Sequence, residues 1–304
     1  MKENILITGG SGFIGNILTD LLIQNGYSVS ILSRNDKQNT NTVSYYKWEV
    51  ENNFIDDNAV LNADYIIHLA GENIADKRWT PKRKAKIIDS REQSIRIIYE
   101  VLNRNNKKLN AFISASGIGI YGALSGDTIC SENTLPANDF LGTTCQKWEA
   151  AADTISNLGI RTVKIRTGLV LGKNEGFLKK IIPIFKYGLG SALGSGKQYM
   201  PWIHIDDLCA IYLCAIQNKT MNGPYNAAVN DNTTNAVFSK SLAKIYGYSI
   251  WLPNVPSLIL KIVLGEMSNI ITKGRRVYSN KIEKTGFEFK YKDLETALRN
   301  CLEK

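Results

Sequence analysis

The residues of this chain best suited to do chemistry come early. Gly9-Gly10-Ser11-Gly12-Phe13-Ile14-Gly15 lies between a short apolar run, Asn4 to Thr8, and a segment, Asn16 to Gln24, in which Ile17, Leu18, Leu21 and Leu22 recur at helical spacing. Strand, glycine turn, helix is the order this predicts. Glycine serves a different purpose at each of three positions: Gly9 turns the chain tightly, Gly12 lets backbone approach a pyrophosphate, and Gly15 lets the helix pack close to the strand. The pyrophosphate would rest on the helix N-terminus, whose free N–H groups and dipole favour anions. Phe13 and Ile14 belong to the same turn and are counted with it as dinucleotide-binding. A glycine turn alone is a weak signal, but here the strand and the helix flank it as a dinucleotide site requires.

A second apolar run, Tyr27 to Leu32, ends about twenty residues after the turn, where an NAD-binding protein places an acidic residue against the ribose 2′-hydroxyl. This chain has Ser33-Arg34 there. A guanidinium and a hydroxyl suit a 2′-phosphate that a carboxylate would repel, so NADP(H) is expected in preference to NAD(H). Asp36, two residues later, keeps NAD open, and a solvated loop arginine is the plain alternative for Arg34.

Those residues need a scaffold. Tyr65 to Ala70, Ala111 to Ser114 and Thr162 to Ile165 have the length of buried strands, and each follows a helix-like stretch. The alternation predicts an α/β chain with a Rossmann-type, doubly wound parallel sheet that binds ligands at the carboxyl ends of its strands. Leu69, Ala70 and Gly71 would form a small-residue edge beside the nicotinamide ribose. His68 reads as a packed histidine.

Composition narrows the class. With 304 residues and 44% hydrophobic content the chain can bury a large core, which excludes disordered and fibrous classes. The formal charge of +9 raises nucleic acid, a membrane surface or a phosphorylated small molecule as partner. Seven basic residues (Lys77, Arg78, Lys82, Arg83, Lys84, Lys86 and Arg91) crowd between Asp76 and Arg91, yet no nucleic-acid motif accompanies them, so nucleic acid is not expected. Ser257 to Leu264 is the most apolar late stretch; it is far shorter than the roughly 20 residues of a membrane span and reads as a buried helix, so no membrane partner is expected. The opening Met1-Lys2-Glu3-Asn4 lacks a signal h-region, and cytoplasmic localisation is expected. Five scattered cysteines and two histidines predict neither disulfides nor a metal site.

Further motifs fall in line behind the glycine turn: His68-Leu69-Ala70-Gly71-Glu72-Asn73, Ser114-Ala115-Ser116 leading to Tyr121-Gly122, and Arg166-Thr167-Gly168-Leu169-Val170-Leu171-Gly172. With these the chain resembles the extended short-chain dehydrogenase/reductase superfamily. More narrowly, Lys147-Trp148-Glu149, Gly194-Ser195-Gly196-Lys197-Gln198, Pro201-Trp202-Ile203-His204-Ile205-Asp206-Asp207 and Gly286-Phe287-Glu288-Phe289 resemble the "epimerase family protein" subgroup of the NAD-dependent epimerase/dehydratase superfamily, with its small C-terminal module.

The resemblance implies chemistry. In the superfamily a Tyr-x-x-x-Lys pair moves a proton at the substrate hydroxyl, the lysine also holds the nicotinamide ribose, and a serine after the fourth strand bonds the same oxygen. Ser116 is matched to the serine and Lys147 to the lysine, as catalytic and, for Lys147, cofactor-binding residues. The tyrosine is missing: Thr143 stands four residues before Lys147, and an alcohol is far too weak an acid to replace it. Tyr121 is the nearest substitute proton donor, with a wall beside the nicotinamide as its plainer role. Arg91 and Arg166 are carried over as cofactor-facing, either of which could instead be a surface ion pair. Cys145 reads as packing and His204 as structural, with Asp206 capping the helix that follows.

The expected organisation is an NADP-binding unit over residues 1–170 and a smaller mixed substrate-binding unit over 171–304, interleaved at the boundary, with the C-terminal module from about residue 253. Phe177, Phe185, Tyr199 and Trp202 would line an apolar pocket or belong to the core. Lys179, Lys180, Lys186 and Lys197 would suit an anionic substrate. The expected function is an NADP(H)-dependent oxidoreductase or epimerase-like enzyme acting on a small hydroxylated or carbonyl compound; a noncatalytic NADP(H)-binding sensor or regulator is the alternative. The oligomeric state stays open, a homodimer being one arrangement.

Overall fold

A computed structural model describes residues 2–173 and 175–302. Strands and helices alternate along the first half: β1 (Asn4–Thr8), α1 (Phe13–Gln24), β2 (Ser28–Ser33), β3 (Val43–Glu49), β4 (Phe54–Ile55), α2 (Asp57–Leu61), β5 (Tyr65–His68), α3 (Pro81–Arg104), β6 (Ala111–Gly117), β7 (Gly126–Cys130), α4 (Phe140–Ser156) and β8 (Thr162–Thr167). Then follow β9 (Leu169–Leu171), α5 (Gly176–Lys186), β10 (Trp202–His204), α6 (Ile205–Gln217), β11 (Gly223–Ala227), α7 (Asn235–Ile245), α8 (Ser257–Leu264), α9 (Asn269–Thr272), β12 (Arg275–Val277), α10 (Asn280–Glu283) and α11 (Leu294–Leu302). Eight strands form one sheet in the order β11-β8-β6-β5-β1-β2-β3-β4, parallel throughout except for β4. The chain winds outward from β1 in both directions, so the switch point lies between β1 and β5.

Side-chain alternation explains why the sheet is covered on both faces. On one, Ile5, Ile7, Val29, Ile31, Ile113, Val163 and Ile165 pack with Leu18 and Leu22 of α1 and with Leu208, Ile211 and Tyr212 of α6. On the other, Leu6, Leu32, Ile66 and Phe112 meet Ile95, Ile98 and Val101 of α3 and Trp148, Ala152 and Ile155 of α4. The period of two that puts Ile66 and Phe112 on the second face also puts His68, Ser114 and Ser116 there, at the carboxyl ends. Local signals set the helix starts: Thr80 caps α3 with Pro81 in its first turn, and Asp139 caps α4 through the Gly142 N–H.

Two sequence expectations change, and one strand forms from a run not marked above. β3 completes one wing of the sheet although Val43 to Glu49 carries no clear strand pattern. β11, which lies within residues 171–304 expected to form the substrate-binding unit, pairs with β8 at the edge of the main sheet; the sheet thus draws on chain from both sides of residue 170. Ser257 to Leu264 is a helix but not a buried one: Leu258 and Ile262 are 69% and 66% exposed. Trp202 and Phe185 belong to the core.

Gly142, inside α4, gives a direct test of this packing. A Cβ there would lie 2.1 Å from the Ala137 carbonyl oxygen, so the steric conflict outweighs the gain of about 1 kcal/mol that alanine ordinarily brings to a helix. Gly142→Ala should lower stability by about 1–3 kcal/mol in a urea titration; a stabilised variant would contradict the placement.

Candidate dinucleotide and substrate site

The glycine turn sits at the switch point. Gly9 has φ +71°, and a Cβ on it would lie 3.1 Å from the Ala70 nitrogen, so backbone of the β5 end presses directly against the turn. Thr8 fixes that contact: its hydroxyl oxygen accepts from the N–H groups of Leu69 and Ala70, each at 3.1 Å. A Cβ on Gly15 would come within 2.4 Å of the Gly9 carbonyl oxygen, whereas one on Gly12 would meet only that oxygen, at 3.3 Å. Gly15 is therefore there for packing, and Gly12 leaves the cradle open outward. No side chain caps α1 and its first turn carries no acidic residue, so its N–H groups and dipole face an uncluttered anion position. Phe13 turns away: its ring packs where a Cβ on Gly172 would lie 2.3 Å from Cζ. Phe13 and Ile14 face the cradle through backbone, not side chain.

Arg34 is exposed just past β2, beside the turn. The Ser33 hydroxyl donates to the Asn35 carbonyl at 2.7 Å, shaping the loop. Asp36, which had kept NAD open, pairs with Lys47 at 3.5 Å. Glu72 faces the same space: burial works against its carboxylate, but the Arg83 hydrogen bond and then the charges of Lys86, Arg83 and Arg34 hold its pKa below the ordinary value.

Arg91 of α3 is buried against the β5 end. Its Nη1 donates to the Ile87 and Glu72 carbonyls at 2.8 and 3.1 Å, its guanidinium stacks 4.7 Å from the Trp148 ring, and a Cβ on Gly71 would lie 3.2 Å from its Cζ. Its Nε is buried without a partner.

Ser116, Tyr121 and Arg166 are brought together, but into a closed network. Arg166 grips Glu149 with two hydrogen bonds of 2.8 and 2.9 Å, and its Nη1 donates to the Tyr121 hydroxyl and the Glu132 carbonyl, both at 3.1 Å. Ser116 donates to Glu149 at 2.8 Å, and Tyr121 donates to Asn226 at 2.6 Å. Arg166 is thus the centre of an ion pair, the alternative left open for it, and the pair is buried. Burial pushes the Tyr121 hydroxyl up to about 12 against the pull of Arg166, and its proton is donated to Asn226.

Lys147 is not brought to this group. Its side chain is half exposed, with Nζ 3.7 Å from Glu92 on α3. Two residues along a helix is about 200° of rotation, so a face carrying Cys145 and Glu149 turns Lys147 away. The pair four apart that does face the β6 end is Leu141 and Cys145: a Cβ on Gly119 would lie 3.5 Å from Leu141 Cβ and 3.6 Å from Cys145 Sγ. Neither can shuttle a proton, since burial, with help from Glu149, raises the Cys145 thiol to about 12. The stripe Leu141, Cys145, Trp148, Glu149, Ala152 was readable as a helical face and would have marked Glu149 as buried.

His68 is packed, its Nε2 2.8 Å from the Ser94 hydroxyl. His204, not Asp206, caps α6, accepting from the Asp206 N–H. The lysines expected to meet an anionic substrate are partly spent: Lys179 pairs with Glu175 and Lys180 lies beside Asp76. In the basic stretch, Arg83 and Lys86 pair with Glu72 and Lys84 with Glu266, whereas Lys77, Arg78 and Lys82 have no ion pair among the described residues.

A doubly wound sheet with an open glycine cradle at its switch point defines a dinucleotide-binding protein of Rossmann type. Residues 5–228 match the NAD dependent epimerase/dehydratase family, and residues 255–301 match a domain of unknown function, DUF1731. The chain belongs to the NAD dependent epimerase/dehydratase family. It is 35% identical to the epimerase family protein YfhF of Bacillus subtilis over 98% of both chains, and 34% identical to the epimerase family protein SAR0825 of Staphylococcus aureus over the full length of both. Among solved structures, the human epimerase family protein SDR39U1 with NADPH superposes with a TM-score of 0.86 at 28% identity, covering 98% of each chain. The nucleoside-diphosphate sugar epimerase of Corynebacterium glutamicum gives 0.80 at 28% identity, covering 99% of this chain and 58% of that one. Among the described residues no helix is long and apolar enough to cross a membrane.

Two outcomes follow from the buried groups. Glu149→Gln leaves Arg166 buried without its counter-charge and should cost about 3–5 kcal/mol in denaturant unfolding; a loss below 1 kcal/mol would show the pair is not sealed as described. His68 is held neutral by burial, then by Arg91, with its pKa lowered from 6.5 to about 3. Below pH 6.5 the unfolded chain takes up a proton the folded chain refuses, so stability is lost as pH falls from 6.5 toward 3, by up to about 1.4 kcal/mol per pH unit. His68→Gln should flatten that slope by up to one proton in unfolding titrations from pH 7 to 4; an unchanged slope would refute the assignment.

Proposed function

We propose that this chain binds NADP(H) across the carboxyl edge of β1, β2 and β5 and acts as an oxidoreductase or epimerase-like enzyme on a small hydroxylated or carbonyl substrate. The observation that carries the cofactor reading is Arg34 at the end of β2, beside an open glycine cradle, with the nearby loop carboxylates already engaged, Asp36 by Lys47 and Glu72 by Arg83 and Lys86. The NADPH bound to the human relative supports it. In this reading Gly9, Gly12 and Gly15, with the backbone of Phe13 and Ile14, receive the pyrophosphate on α1. Ser33 and Arg34 receive the 2′-phosphate. Leu69, Ala70, Gly71 and Arg91 meet the nicotinamide ribose, Arg91 supplying from α3 the cation that Lys147 does not bring from α4. Bound there, the cofactor supplies a hydride acceptor or donor at its nicotinamide ring. Ser116 can still accept a hydrogen bond from a substrate hydroxyl while donating to Glu149.

The second reading, a noncatalytic NADP(H)-binding sensor, is favoured by one observation: the α4 positions facing the β6 end are Leu141 and Cys145, which offer no tyrosinate. Turnover separates the two. NADPH oxidation with a panel of carbonyl compounds, abolished by Ser116→Ala, supports the enzyme; tight NADPH binding without turnover supports the sensor. The cofactor reading has its own test by fluorescence titration. NADPH should bind at least about tenfold more tightly than NADH, roughly 1.4 kcal/mol. Arg34→Ala should erase the difference and Lys147→Ala should leave it intact; equal affinities in the unmodified protein would overturn the choice of NADP(H).

A further inference from the structure

The loops that leave the carboxyl ends of β5 and β6 face α8 and α9 across a cleft of about 870 Å³. Its lining includes Arg78, Ser125, Ser257, Lys261, Asn269 and Lys273. The three cations come from three separate segments: Arg78 from the loop after β5, Lys261 from α8 and Lys273 from the residue after α9. Arg78 reaches across to the module, since a Cβ on Gly265 would lie 3.1 Å from its Nη2. None of the three has an ion-pair or side-chain hydrogen-bond partner among the described residues. The carboxylate in the lining, Glu266, is neutralised outside the cleft by Lys84 at 2.6 Å. The cleft therefore presents a net positive lining to anything that enters it.

The neutral part of the lining is as informative as the charge. Ser125, Ser257 and Asn269 offer hydroxyls and an amide with no side-chain hydrogen bond of their own among the described residues, and the lining carries no aromatic ring. Hydroxyls and amides match the hydroxyls of a polyol, and unpaired cations match a dianionic phosphate. A nucleobase would find no ring to stack on.

We propose that this cleft is the substrate site and that it takes a phosphorylated polyhydroxy compound, a sugar phosphate, in preference to a nucleoside diphosphate sugar. This rests on the proposed function in that it takes the occupant of the cleft to be the substrate of the NADP(H)-dependent reaction. The test is calorimetric titration of the full chain, saturated with NADPH, with glucose 6-phosphate, fructose 1,6-bisphosphate, the two parent sugars and UDP-glucose. At least one sugar phosphate should bind roughly tenfold more tightly than its parent sugar, and Lys261→Ala and Lys273→Ala should each weaken it several-fold to tenfold without changing NADPH affinity. The proposal is overturned if neither sugar phosphate outbinds its parent, if both lysine variants bind it unchanged, or if UDP-glucose binds more tightly through the same lysines. NADPH binding without sugar phosphate binding overturns the cleft alone. Lysine-dependent sugar phosphate binding by a chain that does not bind NADPH supports the cleft and overturns the cofactor reading.

Discussion

The buried pair between Arg166 and Glu149 is the constraint around which the site is arranged. It joins the penultimate strand of the sheet to the helix that covers it, and both members are nearly inaccessible to water. A buried pair of this kind is weak evidence for stability, because taking both charges out of water costs about as much as their attraction returns. Its value is positional. Glu149 accepts from Ser116, Arg166 donates to Tyr121, and Tyr121 donates to Asn226, whose amide donates in turn to the Tyr278 carbonyl at 2.9 Å. One ion pair thus fixes the rotamers of the residues at the end of β6 and ties the sheet to the segment after β12.

That arrangement has a chemical consequence. In a site with a tyrosinate, the neighbouring cation must be free to lower the tyrosine pKa and to meet the ribose. Here the cation nearest the phenol is neutralised by Glu149, and burial prevails, so the phenol becomes a stronger base and a poorer acid. Arg91, by contrast, has no carboxylate hydrogen-bonded to it. Its charge is held against carbonyl oxygens and a tryptophan face, and a guanidinium cannot exchange a proton near neutrality.

The difference between what the sequence made legible and what it hid has the same origin. The glycine turn, the strand ends and Arg34 were readable because backbone geometry dictates them locally: a turn at φ +71° and a helix start without a side-chain cap leave marks in the residue types themselves. β3 and β11 were harder to place because their pairing depends on neighbours distant in sequence, not on their own pattern. Lys147 was assigned by spacing from a family motif, and spacing does not say which side of a helix faces the sheet. The burial stripe of α4 does, through Trp148 and Glu149, and it turns Lys147 outward by two residues.

The net charge of +9 resolves along similar lines. Within the basic stretch between Asp76 and Arg91, Arg83, Lys84 and Lys86 are taken up by Glu72, Glu266 and Glu51, whereas Lys77, Arg78 and Lys82 have no ion pair among the described residues. The fold carries Arg78 away from its paired neighbours to the cleft that Lys261 and Lys273 also line, while Arg34 lies at the end of β2 within the field of Glu72. Charge that looks diffuse along the chain is thus divided in space between a position suited to a ribose phosphate and a cleft suited to a second anion.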